Sequence, residues 1–161
     1  MKTGKWVLAL SLVCAALAAL APGATAAPSV AGAATPAQAV SALLKPFYTP
    51  GPAGGACNAL SGQVAGCPIT LRLRYRLQHY QRGENGNLIC RCQNPPRIVR
   101  WTQKDNNGFV AHVTTTWIYG ASSTYALVFI VARQDDGWRV DDSACAGRPA
   151  TSVYTPPTGP C

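Results

Sequence analysis

Acid is scarce in this chain. Six carboxylates and two histidines stand among 161 residues, which leaves little material for an acid–base pair. G-x-S-x-G, H-E-x-x-H, a phosphate-binding Gly loop and a dinucleotide fingerprint are all missing, so the motifs that assign a reaction class give no assignment here. A long apolar run is missing too. The only candidate extends from Trp6 to Leu20 and breaks at Pro22-Gly23, short of the ~20 apolar residues a membrane-spanning helix needs.

What that run does have is the order of a secretory signal: basic Met1-Lys-Thr-Gly-Lys5, an apolar stretch, then Ala24-Thr-Ala26. Cleavage is expected after Ala26. Cys14 lies inside the apolar run behind Val13, a poor setting for a lipid anchor. Residues 27–35 are Ala, Pro, Ser, Val, Gly and Thr; this composition predicts a flexible leader, because it offers little surface to bury against the entropy of ordering. One domain is expected over 36–146, followed by a Pro-rich tail over 147–161. The mature chain would be extracytoplasmic, in the periplasm, the cell envelope or the medium, with no transmembrane segment.

Loss of Cys14 leaves Cys57, Cys67, Cys90, Cys92, Cys145 and Cys161. An even count in an exported small domain reads as disulfides. Cys57 and Cys67 bracket a Gly-containing loop and are the first-choice pair. Cys90 and Cys92, one residue apart, look poorly placed to bridge each other, and Cys145 is expected to reach back to one of them. Cys161 needs a partner if the Pro-rich end is not to fray. As metal ligands Cys90-Arg-Cys92 lack the usual zinc spacing and a second ligand pair, so neither a metal nor a cofactor is expected.

The formal charge is +8, and losing Lys2 and Lys5 with the signal leaves +6. Arg72, Arg74, Arg76, Arg82, Arg91, Arg97 and Arg100 share a stretch with one acid, Glu84, whereas Asp135, Asp136, Asp141 and Asp142 gather near the end. Tyr75, His79, Tyr80 and Trp101 interleave the arginines, as on a nucleic-acid platform. Export makes nucleic acid an unexpected partner. Anionic envelope polymers or lipid headgroups fit better, through an attraction that weakens with salt, and Arg74→Ala should then change adsorption while leaving folding intact.

From Thr35 as N-cap and Pro36 at the first helical position, Ala39, Val40, Leu43, Leu44 and Phe47 mark an amphipathic helix over 36–47. Pro46 should kink it or end it early. Residues 69–80 satisfy both the strand period and the helix period. Pro68 ahead of Leu, Arg and Gln favours a helix. Four strands follow near 98–103, 109–119, 123–133 and 138–141, rich in Val, Ile, Thr, Trp and Tyr. Asn107-Gly108 and Asp136-Gly137 separate them as hairpin turns, which makes the sheet an antiparallel meander. The third strand is nearly continuously apolar from Ala126 to Ala132; it is expected to be the most buried, with Val128 and Ile130 inside and Ile130→Asp unfolding the domain.

Helix 37–48, the segment Cys67-Pro-Ile-Thr-Leu-Arg72 and the closing block Val128-Phe-Ile-Val-Ala-Arg-Gln-Asp-Asp-Gly-Trp-Arg-Val-Asp141 together resemble the nuclear transport factor 2-like superfamily of cone-shaped α+β domains. The resemblance implies N-terminal helices packed on a four-stranded antiparallel meander that curls around a pocket. Some enzymes of that superfamily, isomerases or cyclases among them, place a His or Asp there as base beside a Tyr or Asp donor. In this chain His79, His112, Tyr75, Tyr119, Tyr125 and the late acids are the candidates, and His112, within the second strand, is the best placed. Tyr75, His79, Trp101, His112 and Trp117 are the ligand-binding candidates. The five aspartates read as turn and strand-end residues. Since the matching motifs build a fold and carry no reaction, a non-enzymatic binding or accessory domain is preferred to an enzyme.

Overall fold

The computed structural model describes residues 31–48, 57–59, 62–79, 87–90, 92, 97–105, 107–119, 123–148, 151–155 and 161. The expected signal segment, with Cys14, and also Tyr80, Arg82, Glu84 and Arg91 lie outside these. Two helices, α1 (Pro36–Tyr48) and α2 (Leu71–His79), precede four strands, β1 (Arg97–Asp105), β2 (Val110–Tyr119), β3 (Ser123–Gln134) and β4 (Gly137–Cys145). The strands form one antiparallel sheet in the order β1-β2-β3-β4, curled into a half-barrel against the helices. The α+β class and the meander are as the sequence implied.

Both helices start on hydroxyl caps. Thr35 Oγ1 accepts from Gln38 N at 3.2 Å and Gln38 Oε1 accepts from Thr35 N at 3.1 Å, a reciprocal capping box. Thr70 Oγ1 accepts from Leu73 N at 3.2 Å. Ile69, expected in the helix, instead bridges Val140 of β4. Pro46 does not stop α1. Cys57 Sγ lies 3.5 Å from the carbonyl oxygen of Ala42, the acceptor four residues back that Pro46 cannot serve.

Along β2, Ala111, Val113, Thr115 and Trp117 are buried and the residues between them half-buried. Their partners on β3, Leu127, Phe129 and Val131, are fully buried, and with Val40, Leu43, Leu44 and Phe47 of α1 they fill the inner face. Val128 and Ile130 take the other face and are half-buried, so the expectation that they lie inside is corrected. The most buried strand is β4. Its free edge is closed by three segments: Ala33 exchanges hydrogen bonds with Trp138 at 2.9 and 2.8 Å, Thr70 N and Pro68 O both bond Val140 at 2.9 Å, and Cys145 N donates to Thr151 Oγ1 at 2.9 Å. Periodicity saw β3's apolar run and could not see this cover.

These straps change the expected termini. The end of the leader is fastened: Gly32 packs so closely on Gly137 that a Cβ at residue 32 would stand 2.6 Å from the Gly137 carbonyl carbon. The tail is fastened as well, since Cys161 is bonded to Cys145. Cys57 pairs with Cys67 as expected. Cys90 pairs with Cys92, against expectation, and Asn87 holds the two cysteines close. Asn87 Oδ1 accepts from Ile89 N at 2.8 Å and Cys90 N at 3.3 Å, and Asn87 N donates to Cys92 O at 2.9 Å. The resulting turn sets the two Cα atoms 5.2 Å apart, inside the ~4.4–6.8 Å that a disulfide spans.

Candidate functional site

The ligand-binding candidates do not converge. Trp117 is a core residue with no exposure. Its Nε1 donates to Thr115 Oγ1 at 2.5 Å, and its ring meets Phe47 edge-on and Tyr125 in a stack, each at 6.1 Å between centroids. His112 alternates to the opposite, outer face of the sheet, half-buried between Lys104 of β1 and Ile130 of β3. That corrects its expected place in a pocket, and the cause is register: the residues on either side of it, Ala111 and Val113, face the core. Tyr125, another candidate, donates its hydroxyl to Cys90 O at 3.2 Å and so ties the 87–92 turn to β3.

The basic stretch is split in two. Arg72, Arg74, Arg76, Tyr75 and His79 ride on α2, which packs beside β4, while Arg97, Arg100, Trp101 and Lys104 lie on β1, at the far edge of the sheet. On α2 the exposed Tyr75 ring stacks on His79 with centroids 4.0 Å apart, and His79 Nδ1 sits 2.8 Å from Tyr75 O. These contacts lie within one helix. Arg74 is half-buried and its Nε is enclosed with no hydrogen-bond partner among the described residues. Removing it would therefore disturb packing, against the expectation that Arg74→Ala leaves folding intact.

Sequence reasoning missed a polar cluster where α2, β4 and the tail meet. Asp141 is the extra residue of a bulge opposite Ile130 and Val131, and the bulge aims its carboxylate at the start of α2. It accepts from Thr70 Oγ1 at 2.6 Å and lies 3.9 Å from Arg72. The Arg72 guanidinium stands 3.6 Å from the Tyr154 ring centroid, and the Tyr154 hydroxyl donates to Asp141 O at 2.8 Å. Buried Asp142 accepts from Ser143 N at 2.7 Å, Val153 N at 3.0 Å and Ser152 Oγ at 2.6 Å, and Arg76 Nε donates to Val153 O at 2.9 Å. Burial holds the Tyr154 phenol above its ordinary range, with Arg72 offsetting part of the effect. The cluster locks the tail, and the adjacent pair Asp141-Asp142 at the end of an apolar strand was its one trace in the sequence.

The outer face of β1 is more open. Arg97, Arg100, Thr102 and Lys104 are exposed on it, opposite Ile118, Thr116, Thr114 and His112 of β2. Among the described residues the ion pairs are Arg72–Asp141 and Arg139–Asp136, so the β1 cations face solvent rather than carboxylates. Trp101, 39 % exposed, sits on the inner side of the same edge, opposite Thr115. Among the described residues no group of three or more His, Cys, Asp or Glu is arranged to hold a metal ion, and no helix is long and apolar enough to cross a membrane. The chain matches no protein-family model, no curated protein and no solved structure.

Proposed function

We propose that this chain is an exported, disulfide-stabilised binding domain for anionic components of the cell envelope, acting without catalysis. Three disulfides joining all six cysteines of the expected mature chain support an oxidising, extracytoplasmic setting. The observation that carries the binding reading is the distribution of space and charge. The inner face, where a reaction pocket would sit, is filled by Trp117, Phe129 and Phe47, whereas Arg97, Arg100 and Lys104 are displayed on an open sheet edge. Two helices ahead of a curled four-stranded meander also support a place in the nuclear transport factor 2-like superfamily. The isomerase or cyclase reading of that superfamily draws nothing from His112, which lies on the face away from the core.

The test is adsorption. Secreted protein should bind purified anionic envelope polymer at low salt, leave neutral polymer alone, and be released at about 0.5 M salt, where the screening length falls to a few ångströms. Binding that ignores salt, or none at any salt, removes this reading.

A further inference from the structure

The outer face of β1, β2 and β3 sorts its side chains by chemistry into parallel rows. Arg97, Arg100 and Lys104, with Thr102, line β1; Thr114 and Thr116, flanked by His112 and Ile118, line β2; and Ala126, Val128, Ile130 and Ala132 line β3. Register sets the rows abreast, with Arg100 beside Thr116 and Ala126, Thr102 beside Thr114 and Val128, and Lys104 beside His112 and Ile130. Adjacent strands are ~4.8 Å apart, so a cation, a hydroxyl and an aliphatic surface fall within roughly 10 Å of one another. The strip runs for roughly 20 Å along β1. Neither β2 nor β3 contains an acid.

We propose that this face binds an acidic polysaccharide, laid along the strands. The inference rests on the anionic-partner reading above and narrows it to one polymer class and one face. A sugar ring bearing an acid presents three chemistries side by side: an ionised group, hydroxyls and a C–H face. These are the three that the rows complement, with guanidinium forks for the acid, threonine hydroxyls for the sugar hydroxyls, and half-buried aliphatics for the C–H face. Cations on an edge strand also deter edge-to-edge pairing. That accounts for β1 alone and not for the adjacent hydroxyls of Thr114 and Thr116 on the interior strand β2.

A bilayer fits this face less well. Its aliphatic side chains are half-buried, and the most exposed large apolar residues among those described, Leu71, Tyr75 and Phe109, belong to α2 and the β1–β2 turn. A nucleic acid would want stacking rings, yet by register Trp101 and Trp117 belong to the opposite face.

The experiment measures binding of the secreted protein to polygalacturonate, to polyphosphate, to neutral dextran and to phosphatidylglycerol vesicles at low salt. Polygalacturonate should bind. The triple variant Arg97→Ala, Arg100→Ala, Lys104→Ala should weaken it on the order of tenfold, while Lys45→Ala with Arg148→Ala, exposed cations placed elsewhere, should leave it unchanged. Thr114→Val with Thr116→Val keeps shape and β-branching; it should weaken polygalacturonate several-fold and spare polyphosphate. Retained binding in the triple variant would overturn the face while sparing the anionic reading. Polyphosphate or vesicles binding as tightly as polygalacturonate, with no effect of the threonine changes, would overturn the polysaccharide. Self-association through this face that blocks polymer would overturn both assignments, and no polyanion binding at all would remove the underlying reading.

Discussion

Arg139 is buried, and its guanidinium bonds Asp136 three residues earlier, across the β3–β4 turn. Hydrogen bonding to Arg139 holds the Asp136 carboxyl below its ordinary value. A depressed carboxylate adds stability that is present above its unfolded pKa and is lost as pH falls toward its folded value. The melting temperature should therefore drop below about pH 4, and Asp136→Asn should flatten this acid limb while lowering stability near neutrality. An acid limb of the same size in Asp136→Asn, read by calorimetry or circular dichroism, would show that other groups produce it. At the other end Tyr154, held high by burial, contributes stability that is lost as pH rises through its folded value. Both groups were visible as residues in the sequence. Asp136 and Arg139 also stand three residues apart in it, but the partner of Tyr154 was not legible, because Arg72 and Tyr154 are 82 positions apart and nothing local links them.

At the scale of the element, β3 shows what alternation decides. Phe129 is fully buried against the helices and Ile130, its neighbour, is half-buried on the outer face. Phe129→Ala should cost about 3–5 kcal/mol, as truncation of a core aromatic does. Ile130→Thr, which keeps β-branching, should cost about 1 kcal/mol. Denaturant unfolding of the two variants checks this, and equal losses would mean that both faces of β3 are enclosed. The apolar run 126–132 correctly announced an interior strand. It did not announce which side was covered, because a strand apolar on both faces has no period left to read. Residues 69–80 satisfied two periods at once, and the Thr70 cap with the paired Ile69 sends the chain into a helix at Leu71.

The whole molecule is held together at β4. Residues 32–33, 68–70, 148 and 151–154 all bind to it or to its ends, and Cys67 and Cys145 anchor two of these straps covalently. Removing Cys145–Cys161 by a double alanine variant should raise amide exchange in residues 151–155 by tenfold or more and lower the melting temperature by several degrees. Exchange should stay slow in β2 and β3. If the sheet core loosens as much as the tail, the disulfide supports the domain as a whole.

Local chemistry was enough to determine α1, the four strands, their turns, the Cys57–Cys67 bridge and the basic surplus, because each is written in residues close together in sequence. The Asn-Gly and Asp-Gly turns bring neighbouring strands together directly, and that yields a meander with no long-range information. Tertiary structure decided the rest. It set Cys90 against Cys92 through the Asn87 turn, placed Arg72 and Arg97 at opposite edges of the sheet, buried Trp117 and turned His112 outward. Each of these depends on which face of an element meets which neighbour, and burial of apolar surface chooses that pairing across the whole chain at once.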